Sequence, residues 1–121
     1  HELLHLYMEL MENKAPKQAY ELFSSRVKRV DGIYEELEKM TQGANAALFE
    51  GYQEIEMRNI NITTTANTNQ DLPQGQVANV SGVIHYDGDI DGTFTAVLEL
   101  EGDTWKIHYI NVTVPPEKIL P

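Results

Sequence analysis

The chain has 121 residues, 19 acidic against 9 basic side chains, a net charge of −10 and no cysteine. That length suits one domain with a single core, the acidic balance repels nucleic-acid phosphates and anionic membranes, and the missing thiols exclude a disulfide scaffold or a thiolate site. No apolar run approaches the roughly 18 residues that mark a membrane-spanning helix.

Helical periodicity opens the chain. Leu3, Leu4, Tyr7, Met8, Leu10 and Met11 recur at intervals of three and four and form one stripe, with Glu2, His5, Glu9 and Glu12 on the other side. Pro16 suits the first turn of a second helix, where its missing N–H costs nothing, and Ala19, Tyr20 and Phe23 share a face before Ser24-Ser25 ends it. Asp31 is placed to cap a third helix carrying Ile33, Leu37 and Met40, and Gly43 to stop it in a left-handed conformation. A short turn or helix from Asn45 to Glu50 leads into the sheet.

From Tyr52 the period changes to two. Strand one runs to Thr65 with Ile55 and Met57 on one parity and Ile60 and Ile62 on the other, so a bulge near Arg58-Asn59 is expected to restore a common face. The stretch from Ala66 to Gly75 has no apolar pattern and reads as an exposed loop. Strand two (Gln76 to Tyr86), strand three (Gly92 to Glu101) and strand four (Thr104 to Val114) then form a meander. With Gly102-Asp103 as a two-residue turn, Leu100 faces Trp105, Leu98 faces Ile107 and Ala96 faces Tyr109 on the core side. Ala78, Val80, Gly82, Ile84 and Tyr86 join that side beside Leu100, Leu98, Ala96 and Phe94. The opposite side collects Val83, Val97, Ile110 and Val112, a stripe more apolar than solvent exposure requires. Together with His108 it is the expected homodimer interface. A second slip is expected after Tyr109, where Ile110, Val112 and Val114 take over the alternation.

The expected fold is α+β, with about three N-terminal helices packed on a strongly bent four-stranded antiparallel sheet. This order resembles the cone-shaped, cystatin-like architecture of the nuclear transport factor 2-like superfamily. The resemblance is carried by Ala19-Tyr20-Glu21-Leu22-Phe23-Ser24, by Leu48-Phe49-Glu50-Gly51-Tyr52 entering the sheet, and by Trp105-Lys106-Ile107 in the last strand. Within that superfamily the chain is most similar to small bacterial domains of unknown function found outside the cytoplasm. The resemblance implies one domain over residues 1–121, with a helical part to residue 51, a sheet over 52–114 and a tail, and it implies dimerisation through the outer sheet face. Members with chemistry, such as ketosteroid isomerases and dehydratases, hold an ionisable base inside the cone, and no such catalytic residue maps onto this chain. The first residue is His1 rather than Met, and the expectation is an extracytoplasmic protein, secreted or anchored through a segment ahead of it.

Three motifs invite chemistry. His1-Glu2-Leu3-Leu4-His5 has the letters of a zinc peptidase, in which two histidines one turn apart bind metal and the glutamate activates water. It sits at a fraying terminus, with Met11 where the extended form needs a third histidine and Glu21 as the nearest downstream carboxylate, so a solvated helix face is the reading preferred. Asp87-Gly88-Asp89-Ile90-Asp91-Gly92 starts like a calcium loop, but its twelfth position is Leu98 and strands flank it; an acidic hairpin tip is expected. Asn61-Ile62-Thr63, Asn79-Val80-Ser81 and Asn111-Val112-Thr113 match the glycosylation pattern inside strands, and read as strand composition.

The inner surface offers Tyr7, Met11, Tyr20, Tyr86, Phe94, Trp105 and Tyr109, with Met8 and Met57, as the wall of an apolar cavity for a small ligand. Tyrosines orient ligands but are poor bases near neutral pH. The functional expectation is therefore a non-enzymatic ligand-binding or protein-interaction module that needs no metal or cofactor. The alternative is a small lyase or isomerase acting on an apolar ligand in the cavity, which requires a buried carboxylate or histidine beside it. A one-residue slip in strand two would supply one by swinging His85 inward.

Overall fold

The computed structural model describes residues 2–65 and 75–119, and its architecture is α+β: helices first, then a four-stranded antiparallel sheet in the order β1-β2-β3-β4. The helices are α1 (Glu2–Glu12), α2 (Pro16–Tyr20), α3 (Ser25–Lys28) and α4 (Ile33–Met40), followed by a 3-10 helix over Gly43–Leu48. The strands are β1 (Tyr52–Thr65), β2 (Gly75–Tyr86), β3 (Ile90–Glu101) and β4 (Thr104–Thr113), and a short α5 (Pro116–Ile119) follows them. The loop expected from Ala66 lies outside the described residues up to Gly75, which opens β2.

Amphipathic spacing decides how α1 sits. Leu4, Tyr7, Met8 and Met11, at positions i, i+3, i+4 and i+7, are all buried, and the Tyr7 ring meets Phe23 and Phe49 edge-on at 6.0 and 5.9 Å. The second helix is shorter than its pattern suggests. Ser24 does not end it: its hydroxyl accepts the Val27 N–H and caps the additional helix α3, because a serine with extended backbone satisfies an otherwise orphaned donor. Phe23 stands between the two helices and forms a parallel bridge with Ile107, where the Ile107 N–H donates to Leu22 and the Ser24 N–H to Ile107. The outer edge of β4 is covered at this point. Gly32, at φ 90°, and not Asp31, occupies the cap position of α4, while Gly43 takes the left-handed conformation expected of it, at φ 57°.

Two bulges organise the sheet. In β1 the register steps between Met57 and Asn59, leaving Arg58 as the extra residue, so Ile55 and Met57 come to share a face with Ile60 and Ile62 as expected. A further step between Tyr52 and Glu54 keeps Tyr52 on that face. In β4 the extra residue is His108, because Leu98 pairs with Ile107 while Val97 already pairs with Tyr109. The slip thus comes one residue earlier than the sequence suggested, and it corrects three placements. Tyr109 does not face Ala96 but stands on the outer face, 51 % exposed, whereas Ile110 opposes Ala96 and Val112 opposes Phe94 on the inner face. The physical reason is the parity of burial: Trp105 and Ile107 must share the core with Val112 and Val114, and only an extra residue between the two sets permits it.

The inner face of β2 and β3 carries the residues anticipated, but the pairing is shifted by two residues, a step that keeps every side chain on its face: Ala78 is opposite Leu98, Val80 opposite Ala96 and Gly82 opposite Phe94. Tyr86, Ile84 and Phe94 complete a core shared with α1 and Phe49. One polar set lies on the outer parity and is buried all the same. Glu99, only 1 % exposed, is opposite the buried Val77 and accepts from the Arg26 Nε–H at 2.8 Å, with His108 Nδ1 at 3.2 Å from its second oxygen.

Candidate functional site

Beyond the Arg58 bulge the helices no longer cover the inner face. Ile60 and Ile62 of β1 are 58 % and 57 % exposed although they point to the core side. With Leu3 at the start of α1 and Met57, they form one wall of an open groove of about 160 Å³ whose floor is Ala78, Val80, Leu98 and Trp105. Every one of these side chains is apolar, and among the described residues no titratable group lines the groove. The same stretch of β1, from Arg58 to Thr64, is exposed throughout, and among the described residues no strand pairs with its free edge.

Of the side chains expected to wall a ligand cavity, Trp105 and Met57 line this groove. Tyr7, Met11 and Phe94 are fully buried filling of the core, and the Tyr7 hydroxyl has no hydrogen-bond partner among the described residues, so burial pushes its pKa far up. Tyr20 donates to the Lys28 carbonyl and meets Tyr34 edge-on; Tyr86 donates to the Leu48 carbonyl at 2.6 Å under the Lys118 ammonium. These two tyrosines tie helices and sheet together. Tyr109 faces away from the cavity, as described above.

The outer stripe is also reduced. Val83 and Val97 do lie on the outer face, half-buried, but Ile110 and Val112 belong to the inner one, and His108 occupies the bulge beside Glu99. Around Val97 and Tyr109 the outer surface is built from Asn59, Asn61, Asn79, Ser81 and Thr95. An apolar dimer patch is not what remains.

The motif residues separate in the same way. His1 lies outside the described residues. His5 is engaged by the Tyr52 hydroxyl at 2.7 Å and by Glu9 at 3.2 Å, Met11 is in the core, and Glu21 pairs with Lys28. Burial, then the charges of Glu9, Glu54 and Glu12, push the Tyr52 hydroxyl up to about 12. In the acidic hairpin, Asp87 accepts from Gln53 while Asp91 turns to His85, so these two carboxylates of the supposed calcium loop are drawn to different partners.

One cluster was not anticipated as such. His85 points outward, its Nδ1 2.7 Å from Asp91 and its Nε2 3.2 Å from Glu56, whose other oxygen accepts from Arg58 at 2.8 Å. Glu54 sits opposite His85 in the register, and one ligand atom each from Glu54, Glu56 and His85 fall within 4.8 Å of one another. The spacing Glu54-x-Glu56 was visible in the sequence. The antiparallel partner that completes it was not.

The two outward histidines are shifted in opposite directions. Hydrogen bonds first to Asp91 and then to Glu56 raise His85 above 6.5, whereas burial lowers His108 below 6.5, against the pull of Glu99 and with the help of Arg26. We expect the His85 ring resonances to titrate at higher pH than those of His108 in an NMR titration; the reverse order would contradict the geometry. The signs for stability follow. His85 favours the folded state below its unfolded pKa and loses that contribution as pH rises through its folded value; His108 resists protonation, so its contribution is lost as pH falls from about 6.5 through its folded value.

Comparison of the chain with protein-family models, curated proteins and solved structures found no match.

Proposed function

We propose that this protein is a non-enzymatic interaction module that receives an extended, apolar segment of a partner protein along the free edge of β1, with alternate side chains entering the inner-face groove. The observation that carries the reading is the coincidence, among the described residues, of an unpaired strand edge with a groove lined by apolar side chains. An exposed edge offers a row of backbone donors and acceptors, and a peptide that adds a strand gains affinity from them and specificity from pockets for every second side chain. The volume of about 160 Å³ is below the roughly 300–1,000 Å³ of sites that enclose a drug-sized ligand, which favours side chains over a free small molecule. The charge of −10 favours a partner segment flanked by lysine or arginine. General acid–base catalysis needs an ionisable group at the site, and none of the described residues lining the groove carries one.

The helices-then-sheet order supports keeping the nuclear transport factor 2-like superfamily as part of this proposal, and the extracytoplasmic setting rests on that resemblance alone. The test is selection from a displayed library of short peptides. Selected sequences should alternate apolar residues and carry net positive charge, and Ile62→Lys should abolish their binding while Val97→Lys on the outer face leaves it intact. Selection of nothing, or of peptides indifferent to Ile62→Lys, would reject the reading.

A further inference from the structure

We propose that Glu54, Glu56 and His85 form a binding site for a divalent transition-metal ion on the outer face of the sheet, independent of the groove. Three features point to it. The donors come from two adjacent strands and already converge, with one ligand atom from each inside a 4.8 Å span. The histidine is oriented as metal-bound histidines are: Nδ1–H faces the Asp91 carboxylate at 2.7 Å, which fixes the ring and leaves Nε2 directed at Glu56. The carboxylates also divide their oxygens usefully, since Glu56 gives Oε2 to Arg58 and keeps Oε1 toward His85, while Glu54 has no hydrogen bond or ion pair among the described residues.

The donor set selects the class of ion. One imidazole nitrogen with two carboxylates is too nitrogen-rich for calcium or magnesium, which favour all-oxygen shells, and lacks the thiolates of a closed structural zinc site. Zinc(II) and its neighbours accept such a mixed set, with the remaining positions taken by water on the exposed side. The site is built from exposed and half-buried side chains on the sheet's surface, so it adds an ion without being required for folding. Nor is His5, whose helical spacing from His1 has the letters of a zinc motif, one of the three donors.

The probe is zinc chloride, titrated calorimetrically into the untagged protein. One equivalent should bind, with about tenfold or greater weakening in His85→Gln and about tenfold to hundredfold weakening in Asp91→Asn, which removes only the orienting carboxylate. Glu54→Gln gives a second arm safe for the fold, because that exposed side chain has no partner to lose among the described residues. His5→Gln should leave the affinity unchanged. Absence of zinc binding, binding lost in His5→Gln but kept in His85→Gln, or calcium binding as tightly as zinc would each overturn the assignment.

Discussion

Gly82→Ala is expected to destabilise the protein by about 3 kcal/mol, at the upper end of what overpacking a core site costs. A Cβ at this position would stand 2.0 Å from the Glu56 carbonyl oxygen and 3.0 Å from the Arg58 nitrogen. Both are backbone atoms of the β1 bulge, so no side-chain rotation relieves the contact. Relief requires that β1 move away from β2 or that the bulge shift, and a shift by one residue would turn Ile60 and Ile62 off the inner face. Urea unfolding should show a lowered midpoint at unchanged slope, with Ser81→Ala beside it nearly neutral. An unaltered midpoint for Gly82→Ala would show that the two strands do not approach as described.

Glu99→Ala is the second large effect, about 3–5 kcal/mol, the usual range for removing one partner of a buried ion pair. Glu99 is 1 % exposed and its carboxylate receives Arg26 at 2.8 Å; removal leaves the mostly buried guanidinium, 15 % exposed, without that counter-charge. The contrast is Glu21→Ala. That carboxylate pairs with Lys28 at 3.2 Å but is 68 % exposed, and screened pairs of this kind contribute less than about 1 kcal/mol. Equal effects of the two substitutions in chemical denaturation would mean that Glu99 is not sequestered.

Much of the sheet was legible because its side chains obey a period of two and its turns carry their own residues. Gly102 adopts the left-handed φ of 64° its turn requires, and the parity clash between Met57 and Ile60 located the Arg58 bulge in advance. The bulge at His108 was harder to place. A slip on either side of Tyr109 satisfies Ile107 and Val112 equally well, and only the pairing with β3 decides which face Tyr109 takes. Short helices were blurred for a related reason: Ser24-Ser25 is as good an opening as a closing signal, and the bridge from Phe23 to Ile107 that separates α2 from α3 is a contact between residues far apart in the chain. The site suffered most. Aromatic residues suggested a cavity, yet Tyr7 and Phe94 fill the core they were expected to line. The groove emerges where the helical layer ends, a property of how far α1 reaches along β1. Likewise Glu54, Glu56 and His85 become a cluster only through the register of β1 on β2.

Amide hydrogen exchange along β1, measured with and without saturating selected peptide, tests the central claim most directly. The account predicts new protection at the amides between Arg58 and Thr64 that do not bond to β2, together with a change in the fluorescence of Trp105, the chain's single tryptophan. Protection confined to β4, or to the outer face around Tyr109, with no change at β1 or Trp105, would contradict it.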